Sequence, residues 1–128
     1  MNVAVICTAL LGLLLFGLGL NVSMQRRRFR RSVGYDPSPT DPIHRAVRAH
    51  ANTAEYAPFF AVMFLWFATH SAPMWITVTI VIATLARFSL VAGLLWGASL
   101  SRPNPARFAG ALMTYLSGLV LAAGLVAV

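Results

Sequence analysis

Charge is scarce in this chain of 128 residues. Only 10% of the residues are charged and 59% are hydrophobic, with a mean hydropathy of +0.75. A soluble domain of this size could not hide so much apolar surface. Lysine is absent, and Asp36, Asp41 and Glu55 are the only acids set against ten arginines. The single cysteine, Cys7, excludes an intrachain disulfide and any cysteine-rich metal site, and no metal is expected. No basic residue precedes the first apolar run, which argues against a cleavable signal peptide. The segment 69–73 has no arginine at all, although the chain is strongly basic elsewhere.

What is present is four apolar stretches, at about 3–24, 43–70, 74–99 and 103–128. Each is long enough to cross about 30 Å of hydrocarbon at about 1.5 Å per residue. The expected class is all-α: one membrane domain over 1–128, built as a four-helix bundle. Seven arginines fall between positions 26 and 48, next to hydrophobic spans, so the +7 charge is read as a topology signal and not as a nucleic-acid footprint. The basic loop 25–42 and the loop carrying Arg102 lie on one side, expected to be cytoplasmic, with both termini on the other. Pro73, Pro103 and Pro105 stand where helices are expected to begin, and Thr40-Asp41-Pro42 reads as a cap followed by a first-turn proline. Trp66, Trp75 and Trp96 read as interfacial anchors, while Gly110, Thr114 and Gly118 form a small-residue ridge for helix packing.

The second stretch starts with a polar segment. Arg48, Asn52, Glu55 and Tyr56 are spaced i, i+4, i+7, i+8 and lead directly into Phe59-Phe60-Ala61-Val62. On a helix they share one arc of about 80–100° at the mouth of a membrane span. Arg48 and Glu55 are about 10.5 Å apart along the axis and cannot easily neutralise each other. Arg87 lies near the middle of the third span, where a lipid-facing charge costs about 2.5–3.5 kcal/mol. Two compatible readings follow: an Arg87–Glu55 pair joining two helices, or a polar ligand pocket open to the cytoplasm. Pro58 removes an N–H beside Glu55 and is expected to kink the helix. His44, His50 and His70 read as solvated or capping groups.

The run Arg48-Ala49-His50-Ala51-Asn52-Thr53-Ala54-Glu55-Tyr56-Ala57-Pro58 resembles the second-helix signature of the MAPEG family, the membrane-associated proteins in eicosanoid and glutathione metabolism. The length, four spans, basic first loop and arginine midway along the third helix agree with that family. The run Ser101-Arg102-Pro103-Asn104-Pro105-Ala106-Arg107-Phe108-Ala109-Gly110-Ala111 is similar to its bacterial branch, which implies a bacterial inner membrane. The resemblance implies a homotrimer with glutathione as cosubstrate, bound between subunits near the cytoplasmic face. It carries glutathione-holding roles to Arg48, Asn52, Glu55 and Tyr56, and to one of Arg30 and Arg31, with Arg31 preferred; Arg87 joins the same pocket. Arg107 matches the arginine that stabilises the glutathione thiolate. The chemistry suits these assignments. A guanidinium fork grips a carboxylate, Glu55 can accept from an α-ammonium, and a helix N-terminus with a guanidinium favours an anion.

The sequence departs from the family pattern at three places. Leu90 and Leu94 stand where the eicosanoid synthases have aromatic or histidine residues enclosing glutathione, and His44 replaces the glutamate that opens the signature. The leading expectation is a membrane transferase or peroxidase that joins glutathione to hydrophobic electrophiles arriving from the bilayer. The alternative is a non-catalytic binder of lipid or glutathione. A small proton-coupled multidrug transporter would need a glutamate on the first helix, and the first span has no acid.

Overall fold

A computed structural model describes residues 2–127, and they form four helices. These are α1 (Val3–Arg28), α2 (Pro42–Thr69), α3 (Met74–Trp96) and α4 (Pro105–Ala127). Three of them, α1, α3 and α4, are long and apolar enough to cross a membrane. In α2 the polar first half lowers the hydropathy, although its 28 residues exceed the length needed. The chain is a multi-pass integral membrane protein with an all-α bundle.

Local chemistry sets the helix ends. Asn2 caps α1 by accepting from the Ala4 N–H at 2.9 Å, and its Nδ2 reaches across to the Ala68 carbonyl at 3.1 Å. The start of α1 is thereby tied to the end of α2. Past Met24, α1 continues through Arg26, Arg27 and Arg28, because cations in a last turn suit the helix dipole. Arg30 follows with φ at 52°, and the N–H groups of Arg30 and Arg31 bond back to the carbonyls of Arg27 and Arg26. This is a Schellman turn with arginine in the position glycine usually takes. Asp41 caps α2 through the His44 N–H at 2.7 Å, with Pro42 in the first turn. The fourth helix opens at Pro105 and not at Pro103, because Asn104 accepts from the Arg107 N–H at 3.0 Å and fixes the start there. α2 stays helical through Pro58.

The tightest helix pairs are α3 with α4 and α1 with α2. At the α3–α4 seam the backbones nearly touch. A Cβ on Gly93 would lie 2.6 Å from the Arg107 backbone nitrogen, and one on Gly110 would lie 2.5 Å from that of Leu90. Glycine is therefore required at both positions. The two inter-helix loops at the arginine-bearing end meet through the Leu100 N–H and the Pro39 carbonyl at 2.9 Å. At the far end, Leu11, Phe60, Phe64, Phe67, Ile76 and Leu121 form the main apolar cluster.

Candidate functional site

Arg87 is the organising residue. It is 0% exposed, and its neighbours are polar but uncharged. Its Nη2 donates to Asn52 Oδ1 at 2.8 Å and to Thr53 Oγ1 at 3.3 Å. Its Cζ stands 5.3 Å from the centroid of the Tyr56 ring, which turns its negative face to the cation. Tyr115 of α4 packs on Tyr56 with ring centroids 5.9 Å apart. The expected Arg87–Glu55 pair does not form: Arg87 turns to Asn52 and Thr53, and the Glu55 side chain is exposed. The reason is angular. Residues 52 and 53 face α3, whereas residue 55 points along the outer flank of α2.

This arrangement orients Asn52. Arginine has donors and no acceptor, so the amide oxygen must face Arg87. The Asn52 Nδ2 then turns away from Arg87, and its two N–H donors have no partner among the described residues. Arg48 is exposed on the same side, like Glu55, and Tyr56 is half-buried. The α2 strip thus splits in two. Asn52 and Tyr56 are anchored inward on Arg87, while Arg48 and Glu55 are left outward with opposite charge. Arg87 also keeps Nε and Nη1 buried without a hydrogen-bond partner among the described residues. Beside the strip, a groove of about 330 Å³ separates α2 from α4 and is lined by Tyr56, Phe59, Phe60, Tyr115 and Leu119.

The other expected residues lie apart from this group. Arg107, in the first turn of α4, donates from Nη1 to the Leu100 carbonyl at 2.9 Å and from Nη2 to the Arg102 carbonyl at 3.2 Å. Its guanidinium stitches the α3–α4 loop while one edge stays accessible. Arg31 is exposed just beyond the Schellman turn. Leu90 and Leu94 are buried with Leu18, Ala49 and Val91, so that part of α3 is apolar core. His44 stacks on Tyr35 at 4.5 Å and bonds to the Ser38 carbonyl, which pins the basic loop.

Sequence reading missed three contributors. Thr53, fully buried, shares Arg87 with Asn52. Tyr115 backs Tyr56 from α4. Arg45 donates to the carbonyls of Leu95 and Ala98, at 3.3 and 2.6 Å. One signal could have found Arg45: α3 has no basic residue in its last turn, so its terminal carbonyls need a donor from elsewhere.

Comparison with known proteins gives one family. The model of the MAPEG family matches residues 4–127, nearly the whole chain. No curated protein and no solved structure matches.

Proposed function

This chain belongs to the MAPEG family, and we propose that it is a membrane-embedded glutathione transferase or peroxidase acting on hydrophobic electrophiles. Membership supports a glutathione-related transferase, peroxidase or related function in general. The observation that carries the finer reading is the split α2 strip. Arg48 and Glu55 are exposed on a bilayer helix, and neither side chain has a hydrogen-bond partner among the described residues. Such charges call for a ligand or a neighbouring subunit bearing both signs.

Glutathione meets that need. Arg48 grips a carboxylate, Glu55 accepts from the α-ammonium, and Asn52 presents two N–H donors to a carboxylate or peptide carbonyl. Arg87 holds Asn52 in that orientation, and Tyr56 supplies a hydroxyl beside it. The site is completed in a homotrimer, where the outward flank of α2 faces the next subunit and Arg31 of that subunit's basic loop can approach. On this reading the arginine-bearing end is cytoplasmic, the membrane is a bacterial inner membrane and both termini are outside. Arg107 activates the thiol: its accessible N–H groups and the N-terminus of α4 favour the thiolate. The electrophile enters from the bilayer along the apolar groove beside Tyr56 and Tyr115.

A second reading is favoured by the bonds Arg107 makes. Two of its donors already serve the loop carbonyls, and Leu90 and Leu94 offer the ligand nothing polar. Those facts support a member that binds glutathione or lipid without turnover. Calorimetric titration of the purified protein with glutathione, followed by thiolate absorbance, separates the two. Binding with a thiolate band that is lost in Arg107→Ala supports the enzyme. Binding without the band supports the non-catalytic reading, and absence of binding removes both glutathione roles.

A further inference from the structure

A second groove lies on a different face from the α2 strip. A groove of about 800 Å³ runs between α1 and α3, and the start of α2 closes its arginine-bearing end. That volume falls in the range of about 300–1,000 Å³ typical of small-ligand sites. Along most of its length the groove is apolar, with Leu10, Leu13 and Leu14 facing Phe88, Val91 and Leu95. Gly17 opens its middle, since a Cβ there would meet nothing within 4 Å.

The closed end has another character. Asn21, Gln25, Thr40 and Arg45 line it. Two buried polar atoms there have no hydrogen-bond partner among the described residues: Arg45 Nε, a donor, and Gln25 Oε1, an acceptor. The remaining unpartnered buried atoms belong to Arg87, in the site already described. Each such atom carries an uncompensated desolvation cost while it stays unpaired. An occupant that satisfies both must offer an acceptor to Arg45 and a donor to Gln25. Five arginines between positions 26 and 31 follow Gln25 and favour negative charge on the occupant. From Gln25 to Leu10, α1 descends about 22 Å, deeper than half of the roughly 30 Å of hydrocarbon.

We infer that the α1–α3 groove seats one anionic glycerophospholipid per protomer, with its phosphate on Arg45, a headgroup hydroxyl on Gln25 and an acyl chain along Leu14, Leu13 and Leu10. Phosphatidylglycerol has this chemistry. Phosphatidylcholine has the phosphate and the chains, but its trimethylated headgroup has no hydrogen-bond donor and no net negative charge. The site shares no residue with the glutathione strip and does not rest on that reading.

The test is native mass spectrometry of the purified full chain, delipidated in detergent and titrated with each lipid carrying identical acyl chains. Phosphatidylglycerol is expected to be retained at one copy per protomer, about tenfold more tightly than phosphatidylcholine, for the hydroxyl bond to Gln25 together with the net negative charge. Gln25→Leu is expected to narrow that preference, leaving only the part that net charge supplies, and an unchanged preference would overturn Gln25 as the headgroup contact. Gly17→Phe, whose Cβ has no atom within 4 Å and whose ring enters the groove, is expected to abolish retention. Equal retention of both lipids by the parent protein would overturn the headgroup assignment. Undiminished retention in Gly17→Phe would overturn the groove as the seat. Loss of an oligomer in Gly17→Phe would show that a second copy of the chain covers this face, and would equally overturn the proposal.

Discussion

The two ends of the bundle are held by different physics. At the far end, Phe60, Phe64 and Phe67 of α2 interlock with Ile76 and Ile80 of α3 and Leu121 of α4, with no charged side chain in the cluster. At the other end three guanidiniums do the joining. Arg87 links α3 to α2, Arg45 links α2 to the end of α3, and Arg107 closes the α3–α4 loop. None of these bonds goes to a carboxylate. In a bilayer, burial of apolar side chains between helices gains little, because lipid tails are equally apolar. Specific hydrogen bonds and close backbone approach therefore decide how the helices sit. The arginine-bearing end is where positions are fixed most tightly, and it is also where donors are left over for a ligand.

The largest predicted effect sets the two ends against each other through glycine. At the arginine-bearing end, a Cβ on Gly110 would collide with backbone atoms of Leu90 and Ala86, which cannot move aside. At the far end, a Cβ on Gly124 would meet Ile76 Cδ1 at 2.7 Å, the tip of a flexible side chain. Gly110→Ala should cost about 3 kcal/mol or more, and Gly124→Ala less than about 1 kcal/mol. Thermal unfolding in detergent reads both. Similar losses at the two positions would mean that the ends do not differ in rigidity.

Glu55→Gln comes next. The side chain is exposed and makes no hydrogen bond among the described residues, so the unfolding temperature should stay within the scatter expected of a surface substitution. Glutathione affinity, measured by calorimetry, should fall by about 1.5–3 kcal/mol, roughly tenfold to a hundredfold, for loss of a charged acceptor. A fall in stability with unchanged affinity would make Glu55 a structural residue of the subunit interface.

Arg87→Met tests how the tightly fixed end supports the ligand. Two of the Arg87 nitrogens are already unpartnered among the described residues, so a side chain of similar volume should change stability by no more than about 1.5 kcal/mol. Glutathione affinity should drop about tenfold, because Asn52 loses the donor that fixes its amide. Unchanged affinity would show that Asn52 needs no such support.

The four helices and the α2 strip were legible in the sequence: hydropathy marks α1, α3 and α4 as able to cross a membrane, and the spacing 48, 52, 55, 56 marks one arc of α2. Arg87 was legible because a charge in mid-span is costly. Its bonding choice was not. Asn52, Thr53 and Glu55 lie within one turn of α2, and their height along the axis barely separates them; only the rotation of α2 against α3 decides which faces Arg87. Arg107 bonds to main-chain carbonyls of a loop, which leave no side-chain pattern in a sequence, and Arg45 is signalled only by the missing basic residue in the last turn of α3. The α1–α3 groove was illegible for a related reason. It exists where Gly17 contributes no side chain, and the glycines of α1 read equally well as packing notches.

The smallest predicted effect concerns the turn that leaves α1. Arg30 holds φ at 52°, a conformation that costs a residue with a Cβ about 1–2 kcal/mol. Glycine there relieves that cost but gives the unfolded chain more freedom, worth about 0.4–1 kcal/mol in the other direction. Arg30→Gly should therefore stabilise the protein by about 0.5 kcal/mol, a small rise in unfolding temperature in detergent. The same variant decides which arginine of the basic loop serves the ligand. The Schellman bond from the Arg31 N–H to the Arg26 carbonyl, 3.0 Å, is retained with glycine at position 30, so Arg31 keeps its direction. If Arg31 approaches the neighbouring subunit's glutathione, affinity is unchanged in Arg30→Gly and falls in Arg31→Ala. The reverse pattern would assign the role to Arg30 and would show that its left-handed backbone is kept for binding at the expense of stability.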